Sequence, residues 1–263
     1  MGRIFDLSLG QMLWSRRSIF LGLLVGGPIL LAIGIRLVAA SGHLPAVNGA
    51  RLAGPTLFGV LIWLLFVRFI VPVLGIFYGT SLIADEVDDK TITYLFTRPI
   101  PRSAVLVGKY VAYLGCTALL ALPAVVIIYL VLAPIGGSIG AAFPTLLADL
   151  AMIAAGLVAY GAVFALVGAR VKRPLVTGLV FTFGWEPAVL LIPGYLKRAT
   201  VAYYLQALVP HAMPQQSPVS ALLQAFQEPP TLIVSFVGLI AITAVSLWAA
   251  GRAVERREYV LEQ

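Results

Sequence analysis

The chain has 263 residues, 60% of them hydrophobic and 11% charged, with a formal net charge of +7. A soluble domain carries about 25% charged residues, so this composition excludes one and marks an integral membrane protein. The excess of Lys and Arg does not point to nucleic acid, because these residues sit at the ends of apolar runs, where topology rules account for them, and the single Cys116 excludes an internal disulfide.

Chain order begins with Ile4–Trp14, in which Ser8 and Gln11, continued by Ser15, leave a narrow polar stripe on an otherwise apolar face. A spanning helix needs about 20 apolar residues to cross about 30 Å. Six segments qualify: Ser18–Ala40, Leu57–Ile83, Val105–Ala133, Leu146–Val167, Pro174–Ile192 and Thr231–Gly251. The first is too long for the apolar region of a signal peptide and is read as a retained helix. Gly22-x-x-x-Gly26 and Gly75-x-x-x-Gly79 fit the close-packing pattern of membrane helices; packing within the chain is the favoured reading over a dimer contact. Between spans five and six, Pro193–Pro230 holds six prolines and an apolar piece, Ala199–Val209. That piece is too short to span and either lies at the outer surface or dips inward as a re-entrant helix.

The expected fold is all-α with six spans in one domain over 1–263. An even number of spans puts both termini on one side. That side carries Arg3, Arg16, Arg17, Lys90, Arg98, Arg102, Lys109, Arg170, Lys172, Arg173, Arg252, Arg256 and Arg257, against Arg36, Arg51, Lys197 and Arg198 opposite. The excess of basic residues faces the cytoplasm, so both termini, the 83–109 loop and the 168–173 turn are cytoplasmic.

No G-x-x-x-x-G-K-[ST], H-E-x-x-H, C-x-x-C or G-x-S-x-G occurs. His43 and His211 fall in outer loops, and no cluster of His, Cys and carboxylates suits a metal. The sequence therefore offers neither catalytic residues nor metal ligands, and it holds no P-loop for ATP.

Two constellations stand out. Ile83–Lys109 holds eight of the 29 formal charges. Asp85, Glu86, Asp88 and Asp89 cluster at the end of span two, where Asp88 or Asp89 can cap a short helix through Thr91–Thr97; Pro99 and Pro101 stop it. Tyr94, Leu95 and Phe96 then lie between Lys90, Thr91, Arg98 and Arg102. A solvated turn explains the charges but not the apolar triplet; a docking element, with apolar anchors and a charged rim, explains both. The second constellation is intramembrane. Arg68 lies about 16 Å from the outer end of span two, and Glu186 about 18 Å from the cytosolic end of span five. A mid-bilayer charge costs about 2.5–3.5 kcal/mol and should face the bundle interior with a partner. Arg68 and Glu186 are therefore expected to couple, as a polar element of a path or as a structural pair, and Pro72 and Pro187 to kink their helices.

The acidic cluster, Lys90-Thr91-Ile92, then Leu95-Phe96-Thr97-Arg98-Pro99-Ile100-Pro101-Arg102 and Gly108-Lys109, resembles the permeases of type-2 ATP-binding-cassette transporters. Phe183-Gly184-Trp185-Glu186-Pro187 and Ile192-Pro193-Gly194 are similar to that family's fifth span and outer loop. Asp89-Lys90 stands where many members have a glycine. The resemblance implies an inner-membrane permease, two copies or one copy plus a relative, embedded in lipid and joined to two cytosolic ATPase subunits that hold ATP and Mg. It further implies that residues 1–17 form an interfacial helix, that 84–104 is a coupling loop docked in the ATPase, that 193–230 is the outer loop, and that transport is outward. A non-catalytic scaffold of a larger complex and a membrane-embedded lipid-modifying enzyme are the alternatives. With Cys116 replaced by Ser, a cysteine at position 95 should react with a membrane-impermeant maleimide in inverted vesicles and not in intact cells; labelling from outside would place the loop on the wrong face.

Overall fold

The computed structural model describes residues 16–42, 46–47, 50–51, 53–82, 102–191, 195–209 and 230–256. The interfacial stretch 1–15 and nearly all of the 84–104 loop lie outside the described residues. Helix α1 covers Arg16–Ala40. It ends where Gly42 adopts φ 77°, the left-handed conformation that glycine takes without steric penalty at a helix C-terminus; the Gly42 N–H donates to the Ala39 carbonyl at 3.2 Å. A four-residue antiparallel ladder follows, with Ala46 opposite Arg51 and Val47 opposite Ala50. It is a small departure from the all-helical expectation.

Helix α2 runs over Gly54–Leu82, with Pro55 in its first turn, where a missing N–H costs nothing. Two stretches of α2, Ile62–Ile70 and Gly75–Gly79, are wound as π-helix. Helix α3 spans Arg102–Leu132 and α4 spans Ile139–Arg170. Helix α5 consists of Pro174–Val180, a π-turn at Phe181–Trp185, and Glu186–Leu191. A 3₁₀ turn at Tyr195–Ala199 leads into α6, Val201–Ala207, and α7 covers Leu232–Arg256.

Among the described residues, five helices are long and apolar enough to cross a membrane: Ile19–Ala40, Gly54–Leu82, Val105–Leu132, Ala142–Arg170 and Leu232–Glu255. The described part of the segment expected as span five forms a shorter apolar helix, Pro174–Leu190. At 1.5 Å per residue it reaches about 26 Å, short of the usual 30 Å core.

Helix α4 is the hub, packing against α2, α3, α5, α6 and α7, while α1 leans on α3. Burial follows this arrangement. Buried residues make up 61% of the most apolar stretch of α2 and 56% of that of α4, but only 17% for α1 and 22% for α7. Lipid tails are as apolar as leucine, so helices associate through close packing and hydrogen bonds rather than through a hydrophobic gain. Both are present. Tyr110 and Tyr113 of α3 donate to the Val158 and Leu157 carbonyls of α4 at 2.6 and 2.9 Å. The Gly75/Gly79 pair meets α4: a β-carbon on Gly75 would lie 2.9 Å from Tyr160 Cβ, and one on Gly79 3.0 Å from Phe164 Cβ. This is contact within the chain. The Gly22/Gly26 pair on α1 has nothing within 4 Å.

Asp149, in the first third of α4, is fully buried.

The tightest α2–α4 approach is at Gly168, where a β-carbon would come 2.3 Å from the Thr80 carbonyl oxygen. Backbone cannot yield as a side chain can, so Gly168→Ala should destabilise the purified protein by about 1–3 kcal/mol, the range for overpacking. A lowered midpoint of thermal unfolding in detergent checks this, with Gly26→Ala as the near-neutral comparison.

Candidate functional site

One cavity of about 200 Å³ opens where four helices meet. Helix α2 contributes Val67, Arg68 and Pro72; α4 contributes Tyr160; α5 contributes Thr182, Phe183, Glu186 and Pro187; α6 contributes Ala202 and Gln206. Both intramembrane charges singled out in the sequence thus line a single space.

The local winding explains how they reach it. Pro72 lacks the N–H that would bond the Arg68 carbonyl four residues back, and its ring crowds that carbonyl. The helix accommodates this by widening to π geometry over Ile62–Ile70, immediately before Pro72. Pro187 stands in the same relation to Phe183, within the π-turn Phe181–Trp185. Each proline therefore produces a widened turn rather than a break, and each widened turn carries a cavity residue. Such π-segments inside α-helices are frequent at functional sites.

Glu186, 2% exposed, accepts three hydrogen bonds. The Tyr160 hydroxyl donates to Oε2 at 2.6 Å, and the Val201 and Ala202 N–H groups donate to Oε1 at 3.0 and 3.4 Å. The carboxylate thus satisfies free donors at the start of α6 from a distant element, the role a capping residue ordinarily plays from next door. Arg68 takes no part in these contacts. Its guanidinium sits 5.0 Å from the centroid of the Trp63 ring, a cation–π arrangement, and its Nε has no hydrogen-bond partner. The Thr182 hydroxyl, on a 5%-exposed residue, also has none.

Helix α6 is drawn deep by the same contacts. Leu205 lies against Gly156, midway along α4, where a β-carbon would be 3.2 Å from Leu205 Cδ1. The Tyr204 ring covers Gly238 of α7. Val201 and Leu205 are each 1% exposed.

At the opposite end of α2, the Lys109 ammonium donates to the Leu82 carbonyl at 3.0 Å. A lysine there satisfies a terminal carbonyl and opposes the negative end of the helix dipole. It joins the last turn of α2 to the start of α3, so the feet of the charged loop are fastened together. Of the docking residues, Asp85, Glu86, Asp88, Asp89, Lys90, Thr91, Tyr94, Leu95, Phe96 and Arg98 lie outside the described residues. Arg102 is the first residue of α3.

A family profile described as ABC-2 family transporter protein matches residues 14–185. The chain belongs to the ABC-2 transporter family. It is accordingly a multi-pass permease, the membrane subunit type that pairs with an ATP-binding-cassette ATPase and is not itself generally catalytic. The match spans the charged loop, Arg68, Tyr160 and Thr182, and stops one residue before Glu186. No curated protein matches the chain. Among the described residues of this permease, no group of three or more His, Cys, Asp or Glu side chains is placed to hold a metal.

Sequence reasoning missed Tyr160, Thr182 and Lys109 as contributors. Tyr160 was within reach: it lies ten residues before the end of α4, about 15 Å along the helix, close to the 18 Å depth of Glu186. In this ABC-2 permease the coupling free energy of Tyr160 with Glu186 should exceed that of Arg68 with Glu186. Double-mutant cycles with Tyr160→Phe, Arg68→Gln and Glu186→Gln should give about 1–2 kcal/mol for the first pair and a smaller value for the second, read from unfolding midpoints. An equal or larger Arg68–Glu186 term would show that the charges, not the hydrogen bond, hold the helices.

Proposed function

We propose that this chain is the path-forming subunit of an ATP-driven exporter, lodged in the cytoplasmic membrane and moved by separate ATPase subunits bound at residues 84–104. What carries the reading is the family match across the charged loop, whose two ends are fastened by Lys109. Export is the direction implied by the family resemblance. The partner ATPases hold ATP and Mg and perform the hydrolysis. A second copy of the permease, or a relative, completes the path.

On this reading α5 crosses the membrane as a sixth, short span, both termini are cytoplasmic, and α6 is re-entrant from the outer side. The contacts of α6 with Glu186 and with the middle of α4 support the last point, since non-helical backbone at membrane depth is tolerated only where protein buries it. ATP-driven closure of the partner dimer moves the docked loop. Because Lys109 fastens Leu82 to α3, the motion enters α2 and α3 together rather than unwinding the end of either. Helix α2 carries it through two π-segments to the Arg68 cavity. Its widened turns supply the alternative windings that a two-state rearrangement needs.

Leu95→Asp or Phe96→Asp should abolish co-purification of the ATPase from detergent, at least tenfold by quantitative blot, while the permease still inserts at normal abundance. A charge in an apolar anchor position leaves a desolvated group without a partner. Retention of the ATPase at wild-type strength in both variants would remove the docking assignment.

A further inference from the structure

The hydrogen-bond inventory of the cavity is unbalanced, and the imbalance has a chemical sense. Thr80, Thr117 and Thr177 each return their hydroxyl to the carbonyl four residues back, on Ile76, Tyr113 and Arg173, the usual resolution for a threonine within a helix. Thr182 does not. Its hydroxyl is buried and unpartnered at the wall of the cavity. Arg68 Nε, in the same wall, is equally unserved. Glu186 is the cavity's carboxylate, and its oxygens already receive three donors. Arginine has donors only, and its planar fork suits phosphate and carboxylate. The unmet demand of this space is therefore for an oxygen acceptor.

Apart from the Tyr160 hydroxyl, already given to Glu186, and the Gln206 amide, the remaining walls are apolar: Val67, Pro72, Phe183, Pro187 and Ala202. A cavity of about 150 Å³ accommodates benzene, so the 200 Å³ here takes a small polar group together with the first carbons attached to it. Phe183 is at once a cavity wall and 43% exposed, and its ring lies 5.6 Å from that of Phe69, itself 41% exposed. The cavity thus adjoins the α2–α5 seam on the outward-facing surface of the bundle. An acceptor headed by phosphorus or carbon and carried on an apolar body fits both the donors and the walls.

We propose that the cavity is a binding site for the phosphoryl or carboxyl end of an amphipathic molecule, with Arg68 and Thr182 as its hydrogen-bond donors. A membrane lipid and a soluble amphiphile share this chemistry. The site is a property of the permease alone, so it is tested without the ATPase and stands or falls apart from the docking assignment.

The test uses delipidated full-length permease in detergent, titrated with dihexanoyl phosphatidic acid, hexanoate, dihexanoylglycerol and inorganic phosphate. Binding is followed by isothermal titration calorimetry, and stoichiometry by native mass spectrometry. Saturable binding of the phosphatidic acid at one site per chain is expected, at least tenfold tighter than dihexanoylglycerol, which has the acyl chains without the phosphoryl group. Tighter binding of the phosphatidic acid than of hexanoate assigns the site to lipid, and the reverse assigns it to a soluble carboxylate. Arg68→Gln should weaken binding at least tenfold and Thr182→Val about threefold, each with monodisperse elution. Should Arg68→Gln fail to fold, Thr182→Val decides alone, since valine keeps the shape and removes only the donor. Unchanged affinity in the folded variants overturns the proposal. So does equal affinity for dihexanoylglycerol, which would show that the donors are not used, or for inorganic phosphate, which would show that the apolar walls are not.

Discussion

A carboxylate inside a bundle of membrane helices must find its donors within the protein, because the surrounding hydrocarbon offers none. Glu186 finds three, and they come from two elements far apart in sequence: the Tyr160 hydroxyl on α4 and the first N–H groups of α6. One buried acid therefore fixes the mutual positions of α4, α5 and α6. The cost of leaving it unserved exceeds the modest net worth of any single hydrogen bond, so the arrangement resists piecemeal loosening. The inward placement of α6, its cover over Gly238 and its contact with Gly156 follow from this constraint.

The second organising feature is the pairing of proline with a widened turn. In α2 and α5 alike, a proline follows a π-segment, and the residues that face the cavity lie in or beside that segment. A regular α-helix brings residues to one face every third or fourth position; an added residue in the turn shifts that register. The cavity exists where two such shifted registers meet beside α4. Fold and site are thus one construction, with α4 supplying a regular, close-packed reference surface and α2 and α5 supplying the irregularity.

Much of this was legible in the chain. Apolar runs placed α1, α2 and α3 to within about three residues, because each exceeds the length a bilayer requires and is bounded by charge or by turn residues, whereas α4 begins seven residues before the run Leu146–Val167 and α7 ends five residues after Thr231–Gly251. Arg68 and Glu186 announced themselves as ionisable residues at depth, and Pro72 and Pro187 marked the irregular helices. The windings themselves were hidden: α2 is apolar nearly all round, so no amphipathic stripe reports whether a turn holds 3.6 residues or more. Thr182 was hidden for a related reason, since a threonine in an apolar span ordinarily bonds to its own backbone and carries no signal.

The short reach of Pro174–Leu190 bears on the lipid around it as well as on the protein. On the proposed reading, in which α5 crosses the membrane, a helix about 4 Å shorter than the hydrocarbon thickness leaves a mismatch, and a membrane answers such a mismatch by dimpling, at fractions of a kcal/mol per ångström. The leaflets beside α5 would then pinch toward each other while those beside the long α2, α3 and α4 do not. The α2–α5 seam sits on the slope between these two regimes. Sterol content and acyl-chain length, which set how stiffly a leaflet resists such a slope, thereby become variables to which this permease is tuned from outside its own sequence.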